Sequence, residues 1–232
     1  YTIVVILMGL KLFKFIFYFI LISLILFFFT RNINLFGNDF YKNIKKVKNP
    51  DSIDALVNKN NQLDKNYTPN DLVKLNLTCA NENKFLREEA AFSFEQMCLD
   101  AKKQGYKIIA VSGFRSYFYQ QELFEYYVKT IGEDKALEAS AKPGHSEHQT
   151  GLVIDIEGSI GKYIDFELTN EFEWMKENAY RYGFILRYPK GKKNITGFKY
   201  EPWHYRYVGK EVAKIIHEKK ITLEEYHKKL NS

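Results

Sequence analysis

The chain has 232 residues, 46% of them hydrophobic and 27% charged, enough to bury one compact core and too apolar for a disordered chain. Its formal charge of +6 comes from scattered lysines with no aromatic-interleaved basic stripe, which argues against a nucleic-acid partner.

The first predicted element is an apolar run from Phe15 to Phe29 behind Lys11 and Lys14. It is shorter than the roughly 20 residues that span a bilayer, but Leu12, Phe13 and a snorkelling Lys14 extend it. Residues 1–30 are therefore expected to be a transmembrane anchor or an uncleaved signal. The run ends in "FFFTRNINLF", which lacks the small residues a signal peptidase reads, so a retained anchor is favoured over a cleaved leader. Met8 followed by "GLKLFKF" has the form of a short basic leader, and residues 1–7 are expected to lie outside the natural protein. Arg31, Lys42, Lys45, Lys46 and Lys48 outnumber the two lysines before the run, which by charge alone places the following domain in the cytoplasm. The site chemistry below favours the opposite side, and charge bias weakens for long translocated domains.

Residues 31–50, "RNINLFGNDFYKNIKKVKNP", carry no sustained apolar period and read as a polar tether, which puts the folded domain at 51–232. Within it, "FLREEAAFSFEQMCLDAKKQG" spaces Leu86, Ala90, Phe94, Met97 and Cys98 along one helical stripe, with Gly105 as the stop. Cys79 and Cys98 are either a disulfide, outside the cell, or small buried hydrophobes. A strand is predicted in "YKIIAVSG". Ser116 then caps a helix over "YFYQQELFEYYVKTIG", whose Tyr117, Phe118, Phe124 and Tyr127 are expected to pack in the core.

"GLVIDI" is a strand bounded by Gly151 and Gly158. Asn170 and Glu173 form an approximate capping box for the helix "EFEWMKENAYRYG", which Gly183 closes before the strand "FILRY". After the turn-rich "PKGKKNITG" a short strand returns in "EPWHYRYVG", then the helical "KEVAKIIHEKK" and a last helix framed by Thr222 and Glu225. Helices and short strands mix without strict alternation, so the expected class is α+β.

"GHSEHQTGLVIDI" poses the chemical question. Alternation puts Val153 and Asp155 on one face of the strand and Leu152, Ile154 and Ile156 on the other, so Asp155 sits among apolar neighbours. A buried carboxylate there costs several kcal/mol unless compensated, and a divalent cation compensates most strongly. His148 supplies a second ligand, and "EPWHYRYVG" supplies a third, His204. Three protein ligands leave a position for water, as in catalytic zinc sites. Glu201, three residues before His204, can serve as general base to a water on the metal. Arg115, in the loop beyond "KIIAV", has the planar fork that grips a carboxylate or a polarised carbonyl, and Gln120 and Ser146 are polar partners for a peptide backbone.

"SGFRSYFYQ", "SEHQTGLVIDI" and "EPWHYRYVG", in this order and spacing, resemble the VanY-like zinc D-alanyl-D-alanine carboxypeptidases, and the likeness covers nearly all of 51–210. The family signature SxHxxGxAxD is matched at Ser146, His148, Gly151 and Asp155, with Val153 in place of alanine. The resemblance implies one Zn²⁺ held by His148, Asp155 and His204, Glu201 as catalytic base, and Arg115 on the substrate or its tetrahedral intermediate. It also implies a small, mainly antiparallel sheet flanked by helices. The implied reaction is removal of the terminal D-alanine from peptidoglycan stem peptides; that substrate, taken with the apolar run, leads to the expectation of an extracellular catalytic domain held to the cell membrane by a single pass. The larger Val153 is expected to narrow the pocket and bear on substrate choice.

Other readings of the same residues stay open. An L,D-carboxypeptidase or an endopeptidase on wall peptides would share the metal set. A non-catalytic wall-binding module would be expected to have lost a ligand or the base. A structural zinc domain would normally hold four protein ligands rather than three. His145 either lines the pocket or shapes its loop, while His217 and His227 lie on lysine-rich helical stretches and read as surface or satisfied core residues.

Overall fold

The computed structural model describes residues 40–230, together with Tyr18, Ile20, Ile22 and Ser23. Apart from those four, the expected anchor over 1–30 lies outside the described residues, as does the tether up to residue 39. Among the described residues no helix is long and apolar enough to cross a membrane.

The compact unit begins at Phe40, so the second half of the polar stretch belongs to it. Lys45–Lys46 (β1) pairs in parallel with Asn61–Gln62 (β2), and Tyr41 stacks edge-on against His145 at 5.0 Å. Polar composition hid this because the segment is held by backbone pairing and two aromatic rings rather than by an apolar period.

Leu72–Lys74 (β3) and Phe85–Arg87 (β4) pair antiparallel. The helix expected from Phe85 therefore starts only at Glu88, because its first three residues are taken into that ladder; α1 spans Glu88–Lys103. Its stripe of Ala90, Phe94, Met97, Cys98 and Ala101 is buried, and Cys98 is disulfide-bonded to Cys79.

The central sheet has four antiparallel strands, Ile109–Ser112 (β5), Val153–Glu157 (β6), Phe184–Leu186 (β7) and His204–Tyr207 (β8), in the order β5, β6, β8, β7. Alternation along β6 and β8 sends Leu152, Ile154, Ile156, Tyr205 and Tyr207 into one core with α1 and with Phe172, Trp174 and Met175 of α4 (Asn170–Asn178). The opposite face carries Asp155 and His204. A bulge between Ala110 and Ser112 shifts the β5 register just where Ser112 meets Asp155, turning the following loop toward that face.

Helix α2 (Tyr117–Ile131) is capped by Ser116, whose Oγ accepts from Tyr119 N at 3.2 Å, and leads into the short α3 (Glu133–Ala139). The expectation that α2 packs its aromatic stripe in the core is not met. Gln120 is its one buried side chain, and Phe118 is 59% exposed. Tyr117, Phe124 and Tyr127 are only half-buried, and none of the four rings joins a buried hydrophobic cluster. The cap of α4 is also one residue earlier than expected: Thr169 Oγ1 accepts from Phe172 N at 3.1 Å, and Asn170 is already helical. After the short α5 (Lys193–Thr196), α6 (Lys210–Lys219) and α7 (Leu223–Leu230) form a second small core with Ile185 and Val208. Thr222 and Glu225 make the reciprocal capping box, with Glu225 N donating to Thr222 Oγ1 at 3.2 Å and Thr222 N to the Glu225 carboxylate at 2.8 Å.

Candidate metal centre

Strand pairing places the first two groups. Asp155 lies directly opposite His204 in the β6–β8 ladder, which puts both side chains on the same face, with Asp155 Oδ1 3.3 Å from His204 Nδ1. His148 comes from the 3₁₀ turn Glu147–Thr150 that precedes β6. Gly151 ends this turn at φ 67°, and a Cβ there would lie 2.8 Å from Leu72 Cδ2, so the signature glycine serves both the left-handed turn and the close approach of β3.

The turn delivers His148 Nε2 to 3.4 Å from Asp155 Oδ2. On the other side of the ring, Nδ1 donates to the Gly113 carbonyl at 2.6 Å. A carbonyl can only accept, so this bond sets the tautomer and leaves the Nε2 lone pair facing Asp155 and His204. Gly113 is itself required by close approach, since a Cβ there would sit 2.6 Å from the Phe85 carbonyl oxygen.

His148, Asp155 and His204 each offer one ligand atom, all within 4.8 Å of one another. His148 Nε2 and Asp155 Oδ1 are buried and have no hydrogen-bond partner within the protein. Buried polar atoms are ordinarily satisfied, and two imidazole nitrogens with one carboxylate oxygen converging on a point are the donor set of a divalent transition metal. The residues fit such an ion with a coordination position left open.

Glu201 stands beside this set, its Oε2 3.3 Å from His204 Nδ1. Burial pushes its carboxyl up to about 7, with His204 pulling it down and Asp155 pushing it further up. Arg115 is clipped to the same turn by its backbone N–H, which donates to His148 O at 3.2 Å, and its Nη2 lies 3.8 Å from Asp155 Oδ2. Its Nε is buried without a partner. Together these groups line a cleft of about 120 Å³ with Gln120, Ser146, Tyr163 and Trp203.

Gln120 and Ser146 thus both reach the cleft, but the Gln120 amide already donates to Ser140 Oγ and the Ala141 carbonyl, each at 2.9 Å. Its immediate work is to hold the cleft wall, and only Oε1 is left without a partner. His145 is not one of the converging groups; its Nδ1 bonds the Asn58 carbonyl at 2.9 Å and it shapes the loop. The expected narrowing by Val153 is not seen. Val153 is fully buried opposite Arg206 in the ladder and is not among the residues that line the cleft. His217 stacks on Tyr180 at 4.0 Å, and His227 Nε2 bonds the Asp54 carbonyl oxygen at 2.7 Å.

Sequence reasoning missed Glu147. This carboxylate is buried behind the site, where Oε1 accepts from Arg187 Nε and from Arg206 Nη1, both at 2.9 Å, and Oε2 faces His204 Nε2 at 3.8 Å. Burial alone would raise its carboxyl; Arg187 and Arg206 override that and hold it below the ordinary carboxylate range. A permanent negative charge therefore stands behind the His204 ring, favouring a proton on Nε2 and a free lone pair on Nδ1, the atom facing Asp155. The available signal was a pair of arginines, in "FILRY" and "HYRY", inside otherwise apolar strands, which demands a buried anion.

The VanY family of D-alanyl-D-alanine carboxypeptidases matches this chain over residues 83–210. The chain is 46% identical over 209 residues to "Putative carboxypeptidase YodJ" of Bacillus subtilis, covering 83% of this chain and 76% of that protein. The structure resembles that of the LdcB LD-carboxypeptidase, with TM-score 0.75 and 47% identity over 80% of this chain and 90% of that one. It also resembles the vancomycin-resistance D,D-pentapeptidase VanY of the VanB-type cassette, solved as a mutant in complex with Zn(II), with TM-score 0.64 and 35% identity over 75% of this chain and 97% of that one. A likeness of this extent, centred on the segments that carry His148, Asp155, Glu201 and His204, shows that the chain belongs to the VanY family of D-alanyl-D-alanine carboxypeptidases.

Proposed function

We propose that the chain is a zinc-dependent carboxypeptidase that removes the terminal D-alanine from peptidoglycan stem peptides. The observation that carries this is the convergence of two unpartnered buried ligand atoms, His148 Nε2 and Asp155 Oδ1, with His204 Nδ1 and with the carboxylate of Glu201.

A zinc ion bound by His148, Asp155 and His204 would supply Lewis-acid polarisation of the peptide carbonyl and lower the pKa of its water. The protein groups divide the remaining work. Glu201, on the cleft side of His204, accepts a proton from the attacking water and returns it to the leaving amine. Arg115 donates from its guanidinium to the terminal carboxylate or to the oxygen that becomes negative as the carbonyl is attacked. Gly113 and Glu147 hold the two imidazoles in the tautomers that point lone pairs inward, so the donor set is pre-organised.

A second reading, removal of D-alanine from the tetrapeptide by L,D-carboxypeptidase action, is supported by the 47% identity to LdcB. The ligand set is common to both reactions, and the shape of the pocket decides between them. Incubating the protein with pentapeptide and tetrapeptide stems and weighing the products separates them: loss of D-alanine from the pentapeptide supports the first, from the tetrapeptide alone the second.

The place of action goes with this reading. An extracellular catalytic domain, tethered by the apolar run Phe15 to Phe29 to the cell membrane, would meet wall peptides, and the Cys79–Cys98 disulfide suits an oxidising compartment. Labelling Lys74 and other surface lysines of intact cells with a membrane-impermeant reagent tests this; protection of the domain until lysis would place it inside.

A further inference from the structure

Helix α2 borders the cleft with one stripe and leaves the next uncovered. Gln120, Leu123 and Tyr127 line the cleft. Tyr119 and Tyr126, seven residues apart and hence one above the other on the helix, lie on the adjoining stripe and are 55% and 61% exposed. The Tyr126 ring meets that of Tyr127 edge-on at 6.0 Å, so the exposed stripe joins the cleft wall at Tyr126. Tyr163 and Trp203, also cleft residues, form a second edge-on pair at 5.2 Å.

Large exposed aromatic patches mark contact surfaces, and what covers this one must be continuous with what enters the cleft. A lipid surface suits α2 poorly. Helices that lie in the membrane interface carry lysine and arginine on their polar face, whereas α2 presents Glu122 and Glu125 against a single Lys129. Tyrosine combines an apolar ring face with a hydroxyl at its tip, the combination that matches a pyranose, whose C–H groups lie flat on a ring while its hydroxyls take hydrogen bonds.

We propose that Tyr119 and Tyr126 form a carbohydrate subsite beside the cleft, taking an amino sugar of the glycan strand that bears the stem peptide. This rests on the peptidase reading above and extends it: the preferred substrate is the sugar-linked peptide rather than the free one. The rings are exposed and outside the catalytic groups, so replacing them leaves the cleft intact.

The experiment compares the full chain with its Tyr119→Ala/Tyr126→Ala variant on a free stem peptide and on the same peptide linked to its disaccharide, measuring both binding by titration and kcat/KM. The expected result is a preference for the disaccharide-linked peptide that falls roughly fivefold to tenfold in the variant, mainly through KM and Kd, while free-peptide kinetics stay unchanged. Equal losses on both substrates, or a wild-type chain indifferent to the sugar, overturn the proposal. Tyrosine-dependent binding to phosphatidylglycerol vesicles without any sugar dependence overturns it in favour of a lipid surface. Should neither peptide be cleaved while sugar-dependent, tyrosine-dependent binding persists, the subsite stands and the peptidase reading falls.

Discussion

Glu147 and His204 face each other across 3.8 Å behind the site, with Glu147 Oε1 already held by Arg187 and Arg206. A charge so placed orients the His204 imidazole from the rear of the cleft that both residues line. Glu147→Gln leaves the buried Arg206 without a carboxylate partner while Arg187 keeps Glu224, and removing one partner of a buried ion pair costs about 3–5 kcal/mol. The expected outcome is a lower Tm and weaker zinc binding, measured by thermal melts with and without the metal.

The same carboxylate sets an acid limb of stability. Its folded-state pKa lies below the ordinary value of 4.5, so its contribution is complete above that pH and is lost as pH falls below it. Denaturant melts across this range should show stability declining toward acid in the wild type, with a shallower decline in Glu147→Gln. An unchanged slope would remove Glu147 from the account.

The proposed roles of Glu201 as base and His204 as ligand can be separated. Glu201→Gln is expected to keep zinc and lose turnover by about 100-fold to 10,000-fold, the usual range for a general base. His204→Ala should lose both metal and turnover. Metal content by elemental analysis alongside stem-peptide kinetics checks the pair; near-normal rates in Glu201→Gln would reassign the base.

Arg115→Ala should weaken the reaction of substrates with a free terminal carboxylate by about tenfold or more, since charge-assisted hydrogen bonds contribute about 1.5–3 kcal/mol. Amidated substrates, which lack the carboxylate, should lose less. Equal losses on both would place Arg115 on the oxygen that becomes negative rather than on the terminal carboxylate, since its backbone bond to His148 survives the substitution.

Cys79 and Cys98 close a loop of roughly 20 residues, for which a cross-link contributes about 3 kcal/mol. The double Cys79→Ala/Cys98→Ala variant should melt at lower denaturant concentration with the metal site unaltered, because neither cysteine touches the cleft.

How much of this was legible in the sequence depended on the range of the interaction. The turn and strand carrying His148 and Asp155 lie within eight residues, and their glycine, their alternation and their buried acid are local signals. His204 and Glu201 were reachable because the same short segment offers both an imidazole and a carboxylate. Glu147 was signalled only by the need of Arg187 and Arg206 for a buried anion, and no spacing links it to partners 40 and 59 residues on. The aromatic rings of α2 show why a helical stripe alone misleads: periodicity says that an apolar face exists, and only the tertiary arrangement says whether the chain covers it. Thr169 and Asn170 are both good caps, adjacent in sequence, and the cap bond is made by Thr169.

The most direct test of the central claim is cleavage of the stem peptide before chelation, after chelation and after readdition of zinc, followed by mass. Release of D-alanine, its loss with the chelator and its recovery with about one zinc per chain are the expected results. Unchanged cleavage by metal-free protein that has lost its zinc, or zinc bound undiminished in a chain lacking both His148 and His204, would contradict the claim.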